Sequence, residues 1–299
     1  MIRRGFPVYG MTEVASDELR QQGIVVIPFM HSVTLNPERL RPHLHEFFQI
    51  FILQGNASVM HDFLEFKARG TTMVFMSPGQ IHTARPSPGL RGTTVSFTQE
   101  FFDGGAPPPS RLLDFEFFFP AEIRPWLSVS AGQQADILPL FRDLQAEFDR
   151  GLSGAVDILR ATLHILLTRV SRLFAKKRPP RAISRAAQLS RQFHLSVEQY
   201  FREERDLSDY ARELGVTTNH LHDVVREMTG RSAGQIVRER RLLDAKRLLS
   251  HTDLSVSEIG YQLGFRDPSY FSRFFRQAED LTPAEFRTKI REKYQSKVR

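Results

Sequence analysis

The 299-residue chain contains no cysteine. That single absence removes disulfides, thiolate metal sites and cysteine nucleophiles, and it suits a reducing compartment. Long apolar runs are also missing: nowhere do 18 apolar residues follow one another, so no membrane-spanning helix is expected. The opening Met1-Ile2-Arg3-Arg4-Gly5-Phe6-Pro7 carries two arginines, but Glu13, Asp17 and Glu18 come before any sustained apolar stretch. It does not read as a signal peptide. Together these absences make the cytoplasm the expected location, with no membrane partner.

A hydrophobic fraction of 41% with 25% charged residues excludes a chain disordered throughout. At roughly 100–200 residues per domain, two domains are expected. The net charge of +7 is unevenly placed: residues 1–177 hold 18 basic and 17 acidic side chains, whereas residues 178–299 hold 23 and 17. A polyanionic partner is therefore expected for the last two-fifths of the chain alone. The charge changes at Ala175-Lys176-Lys177-Arg178-Pro179-Pro180-Arg181, where two prolines among basic residues predict an extended linker. The expected division is residues 1–175, a linker 176–182, and residues 183–299.

Before the linker, short runs of Val, Ile, Phe and Thr broken by Pro and Gly predict strands at Gly23–Met30, His43–Leu53, Ala57–Glu65, Thr71–Met76 and Gly92–Thr98. Their spacing suits a small barrel or sandwich. Gly104-Gly105-Ala106-Pro107-Pro108-Pro109 reads as a loop. From Ala135 to Phe174 the apolar period becomes helical, first through Ile137, Phe141, Leu144 and Phe148, then from Val156 to Leu173. Ile158, Ile165 and Leu167 widen the second stripe, which predicts a helix packed on the strands and either on a second subunit or wholly within its own core. The Phe-rich Phe115-Glu116-Phe117-Phe118-Phe119 reads as a patch holding helices onto the strands.

After the linker the pattern is helical and contains a repeat. Asp206, Leu207, Tyr210, Ala211, Leu214 and Gly215 return 49 positions later as Ser255, Val256, Ile259, Gly260, Leu263 and Gly264. Each set predicts one short helix with an N-cap residue, an acid three residues on, and a terminating glycine. The next helix repeats as well, Leu221, Val224, Val225 and Met228 matching Phe271, Phe274, Phe275 and Ala278. Two helix-turn-helix units are therefore expected, joined by a helix from about Ala233 to Leu249. If the apolar sets are buried, Asn219, His222, Asp223 and Arg226 face outward in the first copy, and Ser269, Ser272, Arg273 and Arg276 in the second. Such side chains read base edges and hold phosphates in a major groove. A lone polar helix face is ordinarily just solvated; its duplication in register within the basic part of the chain is what favours DNA.

Residues from about Ala187 to Arg287 resemble the DNA-binding domain of the AraC/XylS family of bacterial transcription regulators. The resemblance rests on LHDVVREMTG from Leu221 to Gly230, on RRLLDAKRLL from Arg240 to Leu249, and on IGYQLGF from Ile259 followed by YFSRFF from Tyr270 and TPAEFR from Thr282. It implies base contact by Asn219, His222 and Asp223 in the first recognition helix and by Ser269, Tyr270, Ser272 and Arg273 in the second. Asp223 departs from the Arg or Lys frequent in the family, and pairing with Arg226 or excluding some sequences is its other reading. The first half is similar to the family's sensory module, a cupin-like β-barrel followed by helices that often dimerise, best matched from Arg41 to His45 and from Gly70 to His82. The implied partners are promoter DNA, RNA polymerase, a small effector and a second copy of the chain.

Alternate residues of a strand share a face, so His43, His45 and Gln49 are expected to point inward with His82 from a neighbouring strand. Phe47 and Phe51 would line the same pocket, and Arg41 is placed either as a clamp on an effector carboxylate or in a surface ion pair. The histidines invite a metal reading, but metal-dependent cupins supply a carboxylate where Gln49 stands. No metal, cofactor or catalytic residue is assigned. The expected function is that of an effector-controlled, sequence-specific regulator, activator or repressor, and not an enzyme. The alternatives are a cupin-type metal enzyme with a DNA-binding tail and a dimeric regulator that senses nothing. An alkyl-transfer repair protein is excluded by the missing cysteines.

Overall fold

The computed structural model describes residues 7–11, 19, 22–35, 37–104, 112, 115–118, 124–176 and 185–295. They form two compact units on either side of residue 180. The basic-proline segment expected as the linker lies mostly outside the described residues, as does Phe119.

The first unit runs β1 (Val8–Tyr9), β2 (Ile24–Pro28), α1 (Phe29–Leu35), a 3-10 turn (Pro37–Leu40), β3 (Leu44–His45), β4 (Phe48–Gln54), β5 (Ala57–His61), β6 (Leu64–Ala68), β7 (Thr71–Met76), β8 (His82–Pro86), β9 (Arg91–Phe97), α2 (Gln99–Asp103), a 3-10 turn (Glu116–Phe118), β10 (Trp126–Ser128), α3 (Ala131–Arg150) and α4 (Ala155–Lys176). Five strands form one sheet in the order β10-β7-β4-β9-β2, three form another in the order β6-β5-β8, and β1 pairs with β3. A bridge between His43 and His82 ties the β3 segment to β8. The expected β-rich domain is present, built from sheets rather than one closed barrel.

The central strand β4 shows why the unit needs two layers on its sheet. Phe48, Ile50 and Ile52 pack with Ile137, Phe141, Leu159, Leu163 and Leu166 of the helices. Phe51 and Leu53, on the opposite pleat, pack with Val59, Ala68 and Ala84 of the smaller sheet. Each such buried Phe, Ile or Leu is worth roughly 1.5–3 kcal/mol relative to exposure, so the two-sided sheet concentrates the unit's stability. Phe117 and Phe118 are buried where expected, Phe117 stacking on Phe174 of α4 at 5.3 Å and lying tilted against Phe75 of β7 at 4.4 Å.

Several boundaries differ from the sequence reading. Ala57–Glu65 is a hairpin rather than one strand, because Asp62 takes the left-handed conformation (φ 52°) and turns the chain. The run from Gly23 stops as a strand at Pro28 and continues as a helix. His43–Leu53 breaks at Glu46 and Phe47 into two strands. β1 and β10 add strands that the sequence pattern does not mark, and β8 bears out His82 on a neighbouring strand while extending it to Pro86.

The second unit consists of α5 (Arg185–Tyr200), α6 (Leu207–Glu213), α7 (Thr218–Thr229), α8 (Ala233–His251), α9 (Val256–Gln262), α10 (Pro268–Glu279) and α11 (Pro283–Gln295). The repeat folds as expected. Asp206 and Ser255 each cap their helix in a full capping box, with Asp209 and Glu258 returning the bond, and Thr217 and Asp267 cap α7 and α10. Tyr210, Leu221, Val225, Ile259, Phe271 and Phe275 are fully buried, whereas Ala278, the fourth expected core position of α10, is exposed. α8 packs against α5, α7, α9 and α11. Asp244, buried in its middle, is held by Arg202 at 2.8 Å, and Arg240 one turn earlier pairs with Glu198 at 2.8 Å.

The two turn glycines stand in different surroundings. Gly215 and Gly264 both have positive φ, 67° and 76°, but a Cβ on Gly215 would meet nothing within 4 Å, whereas one on Gly264 would stand 2.6 Å from the Arg202 carbonyl oxygen. Gly215→Ala is expected to cost about 1 kcal/mol for conformation alone, and Gly264→Ala at least ~1 kcal/mol more for displaced backbone. Urea unfolding of the two variants checks this, and equal losses would contradict it.

Candidate functional site

Two places in the molecule gather chemistry-bearing side chains, one in each unit. In the first, Gln49 and Phe51 project from β4 on the pleat opposite Phe48 and Ile50, toward the histidines of β3 and β8. The resulting cavity, about 30 Å3, is lined by Tyr9, Phe29, Ser32, Val33, Arg39, His43, His45, Phe47, Gln49, Phe51, His82 and Ala84. Five of the six sequence candidates thus come together there. Arg41 does not: its side chain is 53% exposed and pairs with Glu38 at 3.3 Å. Arg39, two residues earlier, lines the cavity instead. The 3-10 turn at Pro37–Leu40 sets which of the two points inward, and nothing in the sequence marked that turn.

The three imidazoles lie against one another. His82 has its ring centroid 4.3 Å from that of His43 and 4.5 Å from that of His45. Each anchors Nδ1 to a main-chain carbonyl: His43 to Arg41 at 2.9 Å, His45 to Phe47 at 2.8 Å and His82 to Gln80 at 3.0 Å. Phe47 stacks flat on His45 at 4.2 Å. Gln49 bridges His45 Nε2 (3.1 Å) and the Ser96 hydroxyl (2.8 Å). Burial drives all three rings toward the neutral form. The pKa of His43 is lowered to about 4, and that of His45, also opposed by His43, to about 3. Burial and both neighbouring histidines hold His82 well below 6.5 too. Among the described residues no group of three or more His, Cys, Asp or Glu is arranged to hold a metal ion.

In the second unit the outward face of α7 carries Asn219, Asp223 and Arg226 in the open and His222 half-buried. Asp223 stands 3.8 Å from His222 Nδ1. On α10, Ser269, Tyr270, Arg273 and Arg276 are exposed, while Ser272 is half-buried and donates to the Pro268 carbonyl at 3.0 Å. Each face lies opposite the buried apolar stripe of its own helix. All nine candidate positions therefore lie on the two helices away from the core. α10 presents two arginines and α7 only one, beside an acid.

A β-rich module with a small histidine-lined cavity, followed by a helical module with two exposed recognition-type helices, is the architecture these features define. The comparisons agree: residues 30–182 match the model of the AraC-like ligand binding domain and residues 210–289 that of a helix-turn-helix domain. With the first covering just over half of the chain, the protein belongs to the AraC family. It is 28% identical over 106 residues to a protein named histidine kinase P4 of Formosa agariphila, 36% of this chain and 8% of that one. It is 33% identical over 91 residues to the HTH-type transcriptional activator RhaS of Citrobacter koseri, 30% of this chain and 33% of that one. The chain thus spans a third or less of the length of these relatives. Among solved structures, ToxT of Vibrio cholerae O395 is 13% identical, covers 90% of this chain and 96% of that chain, and has a TM-score of 0.41. A transcriptional regulator with an AraC-type DNA-binding domain from Chromobacterium violaceum is 26% identical over 35% of this chain and 94% of that one, with a TM-score of 0.33. Among the described residues no helix is long and apolar enough to cross a membrane.

The depressed histidine pKa values make the first unit sensitive to acid. Between about pH 6.5 and 4 the unfolded chain protonates His43 and His45 while the folded unit keeps them neutral. Stability is therefore full above pH 6.5 and falls as the pH drops toward 4. The melting temperature of the first unit should decline through that window, and less steeply in His43→Gln. A flat profile in the wild-type protein would contradict the burial argument.

Proposed function

We propose that this chain is a one-component transcription regulator that reads promoter DNA with α7 and α10 and is controlled by a small molecule in the β-rich unit. The observation that carries the reading is the in-register duplication of a helix-turn-helix whose two second helices bury an apolar stripe and expose an Asn, His, Asp, Arg face and a Ser, Tyr, Arg, Arg face. It is a regulator rather than an enzyme, acts in the cytoplasm, and works with RNA polymerase. Residues 1–175 are its sensing and dimerising part, 176–182 its linker and 183–299 its DNA reader. Within the reader, Arg273 suits guanine through a bidentate contact, Asn219 suits adenine, and Asp223 accepts from a cytosine amino group.

The connecting helix supports the geometry of such a reader. At 1.5 Å per residue the 19 residues of α8 span ~28 Å, which suits two recognition helices about one DNA turn (~34 Å) apart. The mechanism is a shift in population: an effector favours one arrangement of the sensing part over another and thereby changes how the reader engages its sites.

Dimerisation is assigned to α4. Ile158 and Ile165 are 50% and 48% exposed and lie two turns apart on one face, a repeat that suits a second copy of the same helix.

Two measurements test this reading. Arg273→Ala should weaken binding to the cognate promoter by ~1–3 kcal/mol and relax the preference at one base position. Unchanged affinity and footprint would reject the base contact. In sedimentation, the wild-type protein should run as a dimer and the double variant Ile158→Asp, Ile165→Asp as a monomer; a wild-type monomer, or an unaltered dimer in the variant, would reject the interface.

A further inference from the structure

The polar end of the cavity is restricted in what it can offer a ligand. Nδ1 of each histidine donates to a carbonyl, so a neutral ring keeps only a lone pair on Nε2 and can only accept there. His45 Nε2 already meets the Gln49 amide. An accepting His45 is satisfied with the amide NH2 turned toward it and the amide oxygen toward the Ser96 hydroxyl. His82 is different. Its side chain is 1% exposed, it lines the cavity, and its Nε2 is buried without a hydrogen-bond partner. A buried acceptor left so is costly until something donates to it.

The donor's own chemistry is limited by its surroundings. Protonating His82 in place is opposed by burial and by two adjacent imidazoles, so the ring does not become a donor itself. Arg39 lines the same cavity and acts with its positive charge on His43 and His45, which disfavours a ligand ammonium. Phe29, Val33, Phe51 and Ala84 give the rest of the wall an apolar face, beside Tyr9 and Ser32, whose hydroxyl already donates to the Phe29 carbonyl at 2.7 Å. At about 30 Å3 the cavity is near the size of one or two waters, so a ligand body must be compact and must widen it.

We propose that His82 Nε2 is the specificity-determining acceptor of the cavity, and that the effector is a small hydroxyl-bearing molecule with a compact apolar body, its O–H donating to His82. This rests on the reading of the cavity as the effector site. A hydroxyl satisfies the orphaned acceptor without bringing a cation beside Arg39, and its hydrocarbon body meets the phenylalanine walls. A methyl ether of the same shape leaves His82 unsatisfied and is rejected for that reason.

The test is calorimetry on the full-length protein with matched probes: phenol against anisole, cyclohexanol against methoxycyclohexane, and benzyl alcohol against benzylamine. Each alcohol is expected to bind about tenfold or more tightly than its partner. In His82→Gln, whose amide donates as well as accepts, the difference between alcohol and ether should disappear, while Arg273→Ala on the other unit should leave it intact. Equal binding of alcohol and ether, tighter binding of the amine, or no binding by any probe would overturn the proposal. If His82→Gln does not fold, the wild-type pairs decide alone. Promoter binding measured on the same preparation reports separately on the regulator reading, which stands if DNA is bound and falls if it is not.

Discussion

The helical unit depends on one constraint, that α8 must be enclosed by both helix-turn-helix pairs at once. Ala233, Ile236 and Val237 are buried at its start and Ala245, Leu248 and Leu249 toward its end, so neither unit completes its core without it. Its middle carries charge into that enclosure. Asp244 is almost wholly buried, and the arrangement is tolerable only because Arg202 and Arg240 approach it, Arg240 also gripping Glu198 of α5. Removing one partner would leave a buried charge uncompensated, while the set as a whole fixes where α5 sits on α8. From this the rest follows: α6 and α7 are held against α5 and one end of α8, α9 to α11 against the other, and the polar faces of α7 and α10 are left outward.

How much of this was legible in the sequence differs between the halves for a physical reason. In the second half a helix shows its buried face every three or four residues, its caps are marked by Asp206, Thr217, Ser255 and Asp267, and the repeat checks each feature against its copy. The buried and outward faces of α7 and α10 could therefore be read directly. Ala278 stands in the repeat where Met228 does, yet the end of α10 leaves it exposed.

In the first half the strands are buried on both faces, and a run such as Phe47-Phe48-Gln49-Ile50-Phe51-Ile52-Leu53 reads as uniformly apolar. Only Gln49 among those seven shows which pleat faces the cavity. The hairpin between β5 and β6 has no glycine, proline or asparagine, since Asp62 carries the positive φ, and so its sequence shows no turn signal. The extent of β8 beyond His82 is masked by its polar content and terminal proline, and β10 by its length of three residues. Arg39, Tyr9, Phe29 and Ser32 join the cavity by tertiary placement, which no local pattern announces. His43 and His45 were legible by alternation, which is a short-range fact, whereas the bridge that brings His82 beside them joins residues far apart in the chain.

The central claim is that two recognition helices, fixed at the ends of one connecting helix, enter successive major grooves on one side of the duplex. Methylation interference on the cognate promoter tests it most directly. Two clusters of major-groove guanines per protomer are expected, centred about one helical turn (~10 base pairs) apart on the same face. A single cluster, or two clusters on opposite faces of the duplex, would contradict it.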